Sequence, residues 1–189
     1  MEFFEWIQGI DLTFVRFVRE NLSNGFLDVL MPIVTLFGEA GIVPIVLALI
    51  MMFFKKTRKA GITIACSLAM GFIIGNLVLK NIVARPRPYS VDTDVVLLIN
   101  KLSDFSFPSG HTLATFECSV CLLLNKFKKS GIAALAIAVL VAFSRVYLYV
   151  HYLTDILAGA ILGTAFAFVS YKIVEKVYLK FAKKETIHN

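Results

Sequence analysis

The stretch GIAALAIAVLVAFSRVYLY, which covers residues 131–149, decides the fold class because it is almost wholly apolar. A helix needs roughly 20 apolar residues to cross a bilayer core of about 30 Å, and this stretch has that length. Residues 60–79 and 154–171 are apolar over similar lengths. The sequence therefore predicts a series of membrane-crossing helices.

Two further apolar stretches are shorter. Residues 112–124 are long enough to cross the membrane only if their helix starts near Gly110. Residues 42–54 are long enough only together with part of 27–38. Helix-breaking or charged residues interrupt that combined stretch, so we expect a kink or a half-inserted helix there. The interrupting residues are Glu39, Gly41 and Pro44.

The composition agrees with a membrane location. Hydrophobic residues make up 58% of the 189 residues, and the mean hydropathy is +0.80. Soluble domains are usually about 45–50% apolar. The net charge of +6 does not indicate a nucleic-acid partner, because the basic residues form clusters between apolar stretches and not one surface stripe.

These basic clusters orient the predicted helices. They occupy residues 55–59, 126–129 and 172–184, and cytoplasmic loops of membrane proteins carry such an excess of Lys and Arg. If the helices alternate in direction, all three clusters lie on the cytoplasmic side of a cell membrane. The segments that then meet on the extracytoplasmic side are 80–88, 108–111 and 145–151, and we expect the loop 89–107 to cover them.

Residues 2–20 differ from the crossing segments. Apolar residues recur there at helical spacing with charged residues between them, which predicts an amphipathic helix in the membrane interface; a poorly inserted first span is the alternative. We therefore expect an all-α, polytopic membrane helical bundle of five transmembrane helices. One further N-terminal segment either spans the membrane or inserts halfway.

A histidine and an aspartate in the last polar segment can form a catalytic pair. His151 and Asp155 are four residues apart, which on a helix places both side chains on one face. A carboxylate bonded to one imidazole nitrogen fixes the tautomer and leaves the other nitrogen free to attack or to take a proton. An ordinary surface His–Asp pair is the alternative, but Arg145 nearby favours a site.

The segment Pro108-Ser-Gly-His opens one of the predicted helices. Ser109 can cap that helix, whose exposed backbone N–H groups form a ready anion site. Gly110 lets a ligand approach the backbone closely, and His111 then points from the first turn toward whatever binds. The alternative interpretation is an ordinary capped helix in which the histidine has no function.

Three cations lie near the predicted membrane boundary and match phosphate chemistry. Lys80, Arg87 and Arg145 would bind phosphate oxygens and stabilise charge in a phosphoryl-transfer transition state. Two histidines and an aspartate also resemble a metal-binding triad, but three nearby cations would repel a divalent metal. We therefore expect no metal and no other cofactor. Cys118 and Cys121 have a C-x-x-C spacing inside an apolar run, where cysteine acts as a small hydrophobe.

Taken together, Lys-x6-Arg-Pro, Pro-Ser-Gly-His and Ser-Arg-x5-His-x3-Asp resemble the three signatures of the type 2 phosphatidic acid phosphatase superfamily. They span residues 80–155 without a departure from the pattern. The resemblance implies metal-independent hydrolysis by a helical membrane core through a phosphohistidine intermediate. It also implies roles for individual residues: His151 as nucleophile, Asp155 orienting it, His111 as proton shuttle, and Lys80, Arg87, Ser109, Gly110 and Arg145 as phosphate ligands.

The chain divides into three parts. Residues 1–25 are expected to form the amphipathic helix, 26–181 a membrane-embedded phosphatase domain, and 182–189 a basic cytoplasmic tail. Glu39 and Glu117 lie outside the signatures, and the sequence assigns them no role. The oligomeric state is equally open.

The expected substrate is a lipid phosphate monoester or diphosphate in the bilayer, and the small size and outward topology resemble undecaprenyl-diphosphate phosphatases. A phosphatidylglycerophosphate or phosphatidate phosphatase is the nearest alternative, because the motifs recognise phosphate and not the lipid tail. Readings from other classes are a vanadate-holding haloperoxidase, which the hydropathy disfavours, and a non-catalytic phospholipid binder or transporter. Binding alone needs only the cations, so the complete histidine–aspartate set favours an enzyme.

Overall fold

The computed structural model describes residues 2–187, with side chains from residue 5 to residue 180. About 80% of the chain is helical and the described residues contain no strand, which confirms the all-α prediction. The helices are α1 (Glu2–Leu22), α2 (Gly25–Thr35), α3 (Ile42–Phe53), α4 (Arg58–Met70), α5 (Lys80–Val83), α6 (Pro88–Val91), α7 (Gly110–Leu124), α8 (Lys128–Tyr147) and α9 (Leu153–Ile187).

Four helical segments are long and apolar enough to cross a membrane: Gly25–Phe53, Arg58–Val91, Lys128–Tyr147 and Leu153–Lys180. The helix α7 is apolar but shorter, and it begins at Gly110 as predicted. Large apolar side chains such as Phe53 and Ile161 are exposed on the outside of the bundle, where lipid would contact them. The helices α4 and α5 are joined by a π-helical stretch, Gly71–Leu79, so that they form one continuous rod.

The backbones of α7 and α9 approach each other closely. A Cβ atom on Gly163 would lie 2.6 Å from the backbone oxygen of Leu113, and one on Gly159 would lie 2.8 Å from that of Ser109. Two small residues spaced four apart are a usual means of bringing membrane helices together. The contact places the first turns of both helices side by side, and the backbone N–H of Ser109 donates to the carbonyl of Asp155 at 3.2 Å.

The predicted interruption of the first crossing segment is present. Residues Leu36–Gly41 form a short 3-10 segment in which Glu39 leaves the helical conformation (ψ 118°). Ala40 and Gly41 both adopt left-handed conformations, with φ of 46° and 67°. A left-handed alanine is uncommon, and such residues persist only where surrounding packing enforces them. The turn separates α2 from α3 and directs Glu39 toward the end of the bundle where α7 begins.

The N-terminal helix α1 is amphipathic, as predicted, but one of its charges faces inward. Val15, Val18 and Asp11 are buried against the bundle, with Asp11 only 1% exposed. Phe17 and Ile10 face outward instead. The polar positions of α1 therefore do not form one solvated stripe.

The basic clusters lie away from the end of the bundle where α7 begins. Lys59, at the start of α4, forms an ion pair with Glu175 at 3.5 Å and stacks over the ring of Tyr171, so the start of α4 and the later part of α9 lie together. The turn between α7 and α8 lies at the far end of α7 from its first residue. Of the predicted tail 182–189, the backbone up to Ile187 continues α9, and its last two residues lie outside the described part of the chain.

Replacing Gly163 by Leu is expected to force α7 and α9 apart, because the new side chain would meet the backbone of α7. Overpacking of this kind costs about 1–3 kcal/mol, which corresponds to a fall in melting temperature of very roughly 2–10 °C in detergent. A Gly9→Leu variant is the control, because no heavy atom lies within 4 Å of a Cβ at that position in α1. An unchanged melting temperature in the Gly163 variant would contradict the close contact.

Candidate active site

A cavity of about 690 Å³ opens at the end of the bundle where α7 and α9 begin. Side chains from all three predicted segments meet there, so the sequence-based grouping of these segments is reproduced by the structure. The charged or titratable residues along its outer part are Glu39, Lys80, Arg87, Asp104, His111, Arg145 and His151. The cavity continues inward between α3, α4 and α7, where its walls are apolar and include Ile45, Leu49, Leu68, Phe72 and Leu113.

His151 lies in the turn between α8 and α9 and is 1% exposed. The prediction that it shares a helical face with Asp155 is wrong, because α9 begins only at Leu153. The pair meets through the start of the helix instead: Asp155 accepts from the backbone N–H of Tyr152 at 2.9 Å, as an acidic residue in the first turn often does. The Nδ1 atom of His151 lies 3.5 Å from Oδ2 of Asp155.

Ser106 completes this pair and was missed in the sequence. Its hydroxyl donates to Oδ2 of Asp155 at 2.5 Å and lies 3.4 Å from Nδ1 of His151. Its backbone N–H donates to the carbonyl of Arg85 at 2.8 Å, which fixes the loop. Ser106 stands two residues before Pro108, so its nearness to the Pro-Ser-Gly-His motif was the available signal.

The other nitrogen of His151 faces the cations. Its Nε2 atom lies 3.2 Å from Nη1 of Arg87. Burial lowers the pKa of His151 to about 3; the bond to Asp155 opposes this change, whereas the charges of Arg87 and Arg145 reinforce it. The imidazole is therefore neutral at pH 7. With Nδ1 beside a carboxylate, Nε2 carries the lone pair that faces the cavity.

Arg85 is a second residue that the sequence analysis missed, because the Lys-x6-Arg-Pro pattern selects Arg87. Its Nη1 donates to Oδ1 of Asp155 at 2.8 Å and to the hydroxyl of Thr154 at 2.7 Å. Its Nη2 donates to Asp11 at 2.7 Å. Asp11 also accepts from the backbone N–H and the hydroxyl of Thr154. The N-terminal helix thus holds the arginine that orients Asp155.

Two of the three cations predicted as phosphate ligands are paired with a carboxylate from the same chain. Asp104, in the loop expected to cover the site, accepts from Lys80 at 2.5 Å and from Nη2 of Arg87 at 2.6 Å. Partial burial of Asp104 opposes ionisation, but the bond and charge of Lys80 and the charge of Arg87 outweigh it and lower its pKa to about 2. The carboxylate therefore stays ionised between the two cations.

Arg145, the third of the predicted cations, has different contacts. It is 1% exposed, and its Nη1 donates to the hydroxyl of Thr35 at 2.7 Å. Its Nε and Nη2 atoms are buried and have no hydrogen-bond partner among the described residues. Arg145 lines the cavity, and its role as an anion ligand stays a prediction.

The Pro-Ser-Gly-His segment is placed as predicted at the start of α7. The hydroxyl of Ser109 caps the helix by accepting from Thr112 (3.5 Å from its backbone N, 3.0 Å from its hydroxyl), and it is fully buried. A Cβ atom on Gly110 would lie 2.9 Å from Oδ1 of Asn76, so a larger residue there would require the Asn76 side chain to move. The Nε2 atom of His111 lies 3.2 Å from Oε2 of Glu39.

Glu117 lines the inner part of the cavity and is fully buried. Ser67 donates to one of its carboxyl oxygens at 3.0 Å. A Cβ atom on Gly71 would lie 2.6 Å from both oxygens, so the π-helical stretch passes directly over this side chain. Glu117 therefore belongs to the inner, apolar part of the cavity, about two helical turns from His111.

More than half of the chain matches a known protein family. The model of the PAP2 superfamily matches residues 60–179, which include every signature residue. The chain belongs to the PAP2 superfamily. The resemblance found in the sequence is thereby confirmed, and with it a multi-pass membrane protein of a phosphatase family.

The chain is also similar to individual members of the PAP2 superfamily. An undecaprenyl-diphosphatase of Sulfolobus acidocaldarius is 40% identical over 66% of this chain and 60% of its own length, so the match spans less than two thirds of that relative. Phosphatidylglycerophosphatase B of Bacillus subtilis is 34% identical over 78% of this chain and 69% of its own. The crystal structure of a transmembrane PAP2-type phosphatidylglycerolphosphate phosphatase from Bacillus subtilis has a TM-score of 0.73 and 31% identity, and covers 90% of this chain and 87% of the solved one.

Replacing Asp104 by Asn is expected to tighten the binding of orthovanadate, a phosphate mimic, because the anion no longer competes with a carboxylate for Lys80 and Arg87. We expect a fall in the dissociation constant of about tenfold, which is about 1.4 kcal/mol, measured by calorimetry in detergent. Asp94→Asn in the same loop is the matched control. Weaker vanadate binding in the Asp104 variant would mean that Asp104 positions the cations and does not compete with the anion.

Proposed function

We propose that this PAP2 protein is a metal-independent phosphatase that hydrolyses a lipid phosphate monoester or diphosphate through a phosphohistidine intermediate. One observation carries the proposal: the buried His151 has its Nε2 atom 3.2 Å from Nη1 of Arg87, within a cluster of cations at the outer end of an apolar groove, the inner part of the cavity. This arrangement supports the proposal, because a nucleophile, anion ligands and a surface for a lipid chain could then act in one cavity.

In the first step, Nε2 of His151 attacks the phosphorus atom and the bond from phosphorus to the lipid oxygen breaks. Asp155 holds the Nδ1–H, and the hydroxyl of Ser106 and the guanidinium of Arg85 hold Asp155 in turn. His111 donates a proton to the departing oxygen. Covalent catalysis of this kind divides one difficult displacement into two easier steps.

In the second step, His111 takes a proton from water, the water oxygen attacks phosphorus, and the bond to His151 breaks. Inorganic phosphate leaves and both histidines return to their starting states. The phosphoryl oxygens would be held by Lys80, Arg87 and Arg145, and at the start of α7 by the first backbone N–H groups from Gly110 onward, which have no partner within the helix. Ser109 would contribute its hydroxyl, because its backbone N–H already donates to the carbonyl of Asp155. These cations disfavour a divalent metal in the same place.

The groove supports a lipid as the substrate. Apolar side chains of α3, α4 and α7 continue from the cations toward the middle of the bundle, and only Glu117 and Asn76 add polar groups. An acyl or polyprenyl chain could lie there while its phosphate contacts the cations. Undecaprenyl diphosphate is the favoured substrate because relatives carry that name, and phosphatidylglycerophosphate or phosphatidate is the alternative.

Phosphate release from purified protein tests this proposal. The panel comprises undecaprenyl diphosphate, phosphatidylglycerophosphate, phosphatidate and a soluble phosphate ester, each assayed with and without EDTA. We expect the highest kcat/KM for a lipid, no loss with EDTA, and no turnover after His151→Ala. A His151 variant that still releases phosphate would exclude the phosphohistidine route, and loss of activity in EDTA that a divalent ion restores would exclude the metal-free mechanism.

We also propose that the cavity faces the extracytoplasmic side. The basic clusters lie at the opposite end of the bundle, and such clusters are retained in the cytoplasm. This argument depends on charge alone and is independent of the chemistry.

Labelling of single cysteines tests the orientation. In a variant that lacks Cys66, Cys118 and Cys121, a Val96→Cys substitution places a thiol at a position that is 78% exposed in the covering loop. A membrane-impermeant reagent added outside intact cells should label it, whereas Lys128→Cys at the other end should react only after lysis. The reverse pattern would invert the topology.

A further inference from the structure

We propose that Glu39 is a positioning residue for His111, so that the site contains a second carboxylate–imidazole pair alongside His151 and Asp155. This inference rests on the proposed function, because it concerns the proton that His111 gives to the leaving oxygen. Glu39 lies outside residues 60–179, the part of the chain that matches the family model.

The turn between α2 and α3 is built around His111. Oε2 of Glu39 lies 3.2 Å from Nε2 of the imidazole. A Cβ atom on the preceding residue, Gly38, would lie 2.9 Å from Cγ1 of Val141 and 3.1 Å from Cβ and Cδ2 of the same histidine, so a larger residue there would press on both side chains. The next two residues, Ala40 and Gly41, adopt left-handed conformations. Close packing, a hydrogen bond and an unusual backbone therefore coincide on one side chain.

The charges around His111 require a carboxylate if the ring is to act as an acid. Arg145 from α8 faces it, and His151 from the following turn is also near. Burial and the positive charge of Arg145 both oppose a protonated ring. Glu39 is the negative group that bonds to the imidazole, and it favours the imidazolium form. The other nearby carboxylate, Asp104, is engaged by Lys80 and Arg87.

The exposure of Glu39 suits the exchange of protons with solvent. Its side chain is 52% exposed, whereas that of His111 is 14% exposed. The carboxylate thus connects a largely buried imidazole to water at the mouth of the cavity. After each turnover His111 must lose or regain a proton, and Glu39 lies on the side from which water reaches it.

This role predicts a dependence on the leaving group. An alkoxide leaving from a lipid phosphate monoester needs a proton, whereas p-nitrophenolate is stable without one. General acid catalysis contributes about 10²–10⁴-fold, so loss of the carboxylate should remove part of that factor for the lipid and little of it for the aryl ester. A merely structural role would lower both rates alike.

The experiment compares kcat/KM of Glu39→Gln for phosphatidate and for p-nitrophenyl phosphate. We expect about a 10- to 100-fold loss with the lipid, as when a partner that orients a reactive group is removed, and less than about threefold with the aryl ester, because its departure does not call on general acid catalysis. The basic limb of the pH profile for the lipid should move to lower pH, because the imidazolium loses its proton more readily without the carboxylate. Glu39→Asp should restore part of the activity.

Two controls separate the possible failures. Glu20→Gln alters an exposed glutamate on α1 and should leave both rates unchanged. His151→Ala should be inactive on both esters; turnover in that variant would overturn the proposed function itself. If His151→Ala is inactive but Glu39→Gln loses activity equally on both esters, or loses none, Glu39 does not assist the proton transfer. Melting temperatures confirm that each variant is folded.

Discussion

The contact between the backbones of α7 and α9 is the constraint on which the rest of the site depends. Gly159 and Gly163 allow it, because any side chain at either position would meet the backbone of α7. The contact brings the capped start of one helix to the start of the other, where Ser109 and Asp155 are joined through their backbones. Without this approach the capped start of α7 and the carboxylate that contacts His151 would be separate.

A second constraint is the cost of holding many charges in an apolar bundle. The structure meets it with two compensated groups. Arg85 lies between Asp11 and Asp155, and its guanidinium also stacks 3.8 Å over the ring of Tyr152. Asp104 bridges Lys80 and Arg87. In both groups each charge has an opposite charge within hydrogen-bond distance, as buried ions require.

Sequence reasoning located most of the site but not the residues behind it. The positions of His111, His151 and the three cations followed from motifs, since each motif is short and its chemistry is visible in its letters. Asp11, Glu39 and Ser106 act through contacts between segments remote in sequence. Ser106 at least stands next to a motif, but nothing in the local context of Asp11 or Glu39 distinguishes them from solvated residues. Glu39 additionally depends on a left-handed turn that spacing alone could not specify. The prediction that His151 and Asp155 share one helical face was wrong, because a turn follows α8 and α9 begins only two residues after His151.

The uncompensated donors of Arg145 connect this charge balance to function. Its Nε and Nη2 atoms are buried in the cavity wall without a partner among the described residues, although almost all buried polar groups in proteins have one. Leaving a guanidinium partly unpaired in an apolar bundle costs several kcal/mol unless an anion binds there. Asp104 supplies the negative charge for the other two cations, so Arg145 is the one of the three that has no ion pair with a carboxylate among the described residues. A phosphate that binds first to Arg145 would then displace Asp104 from Lys80 and Arg87, and the phosphorus would come within reach of His151.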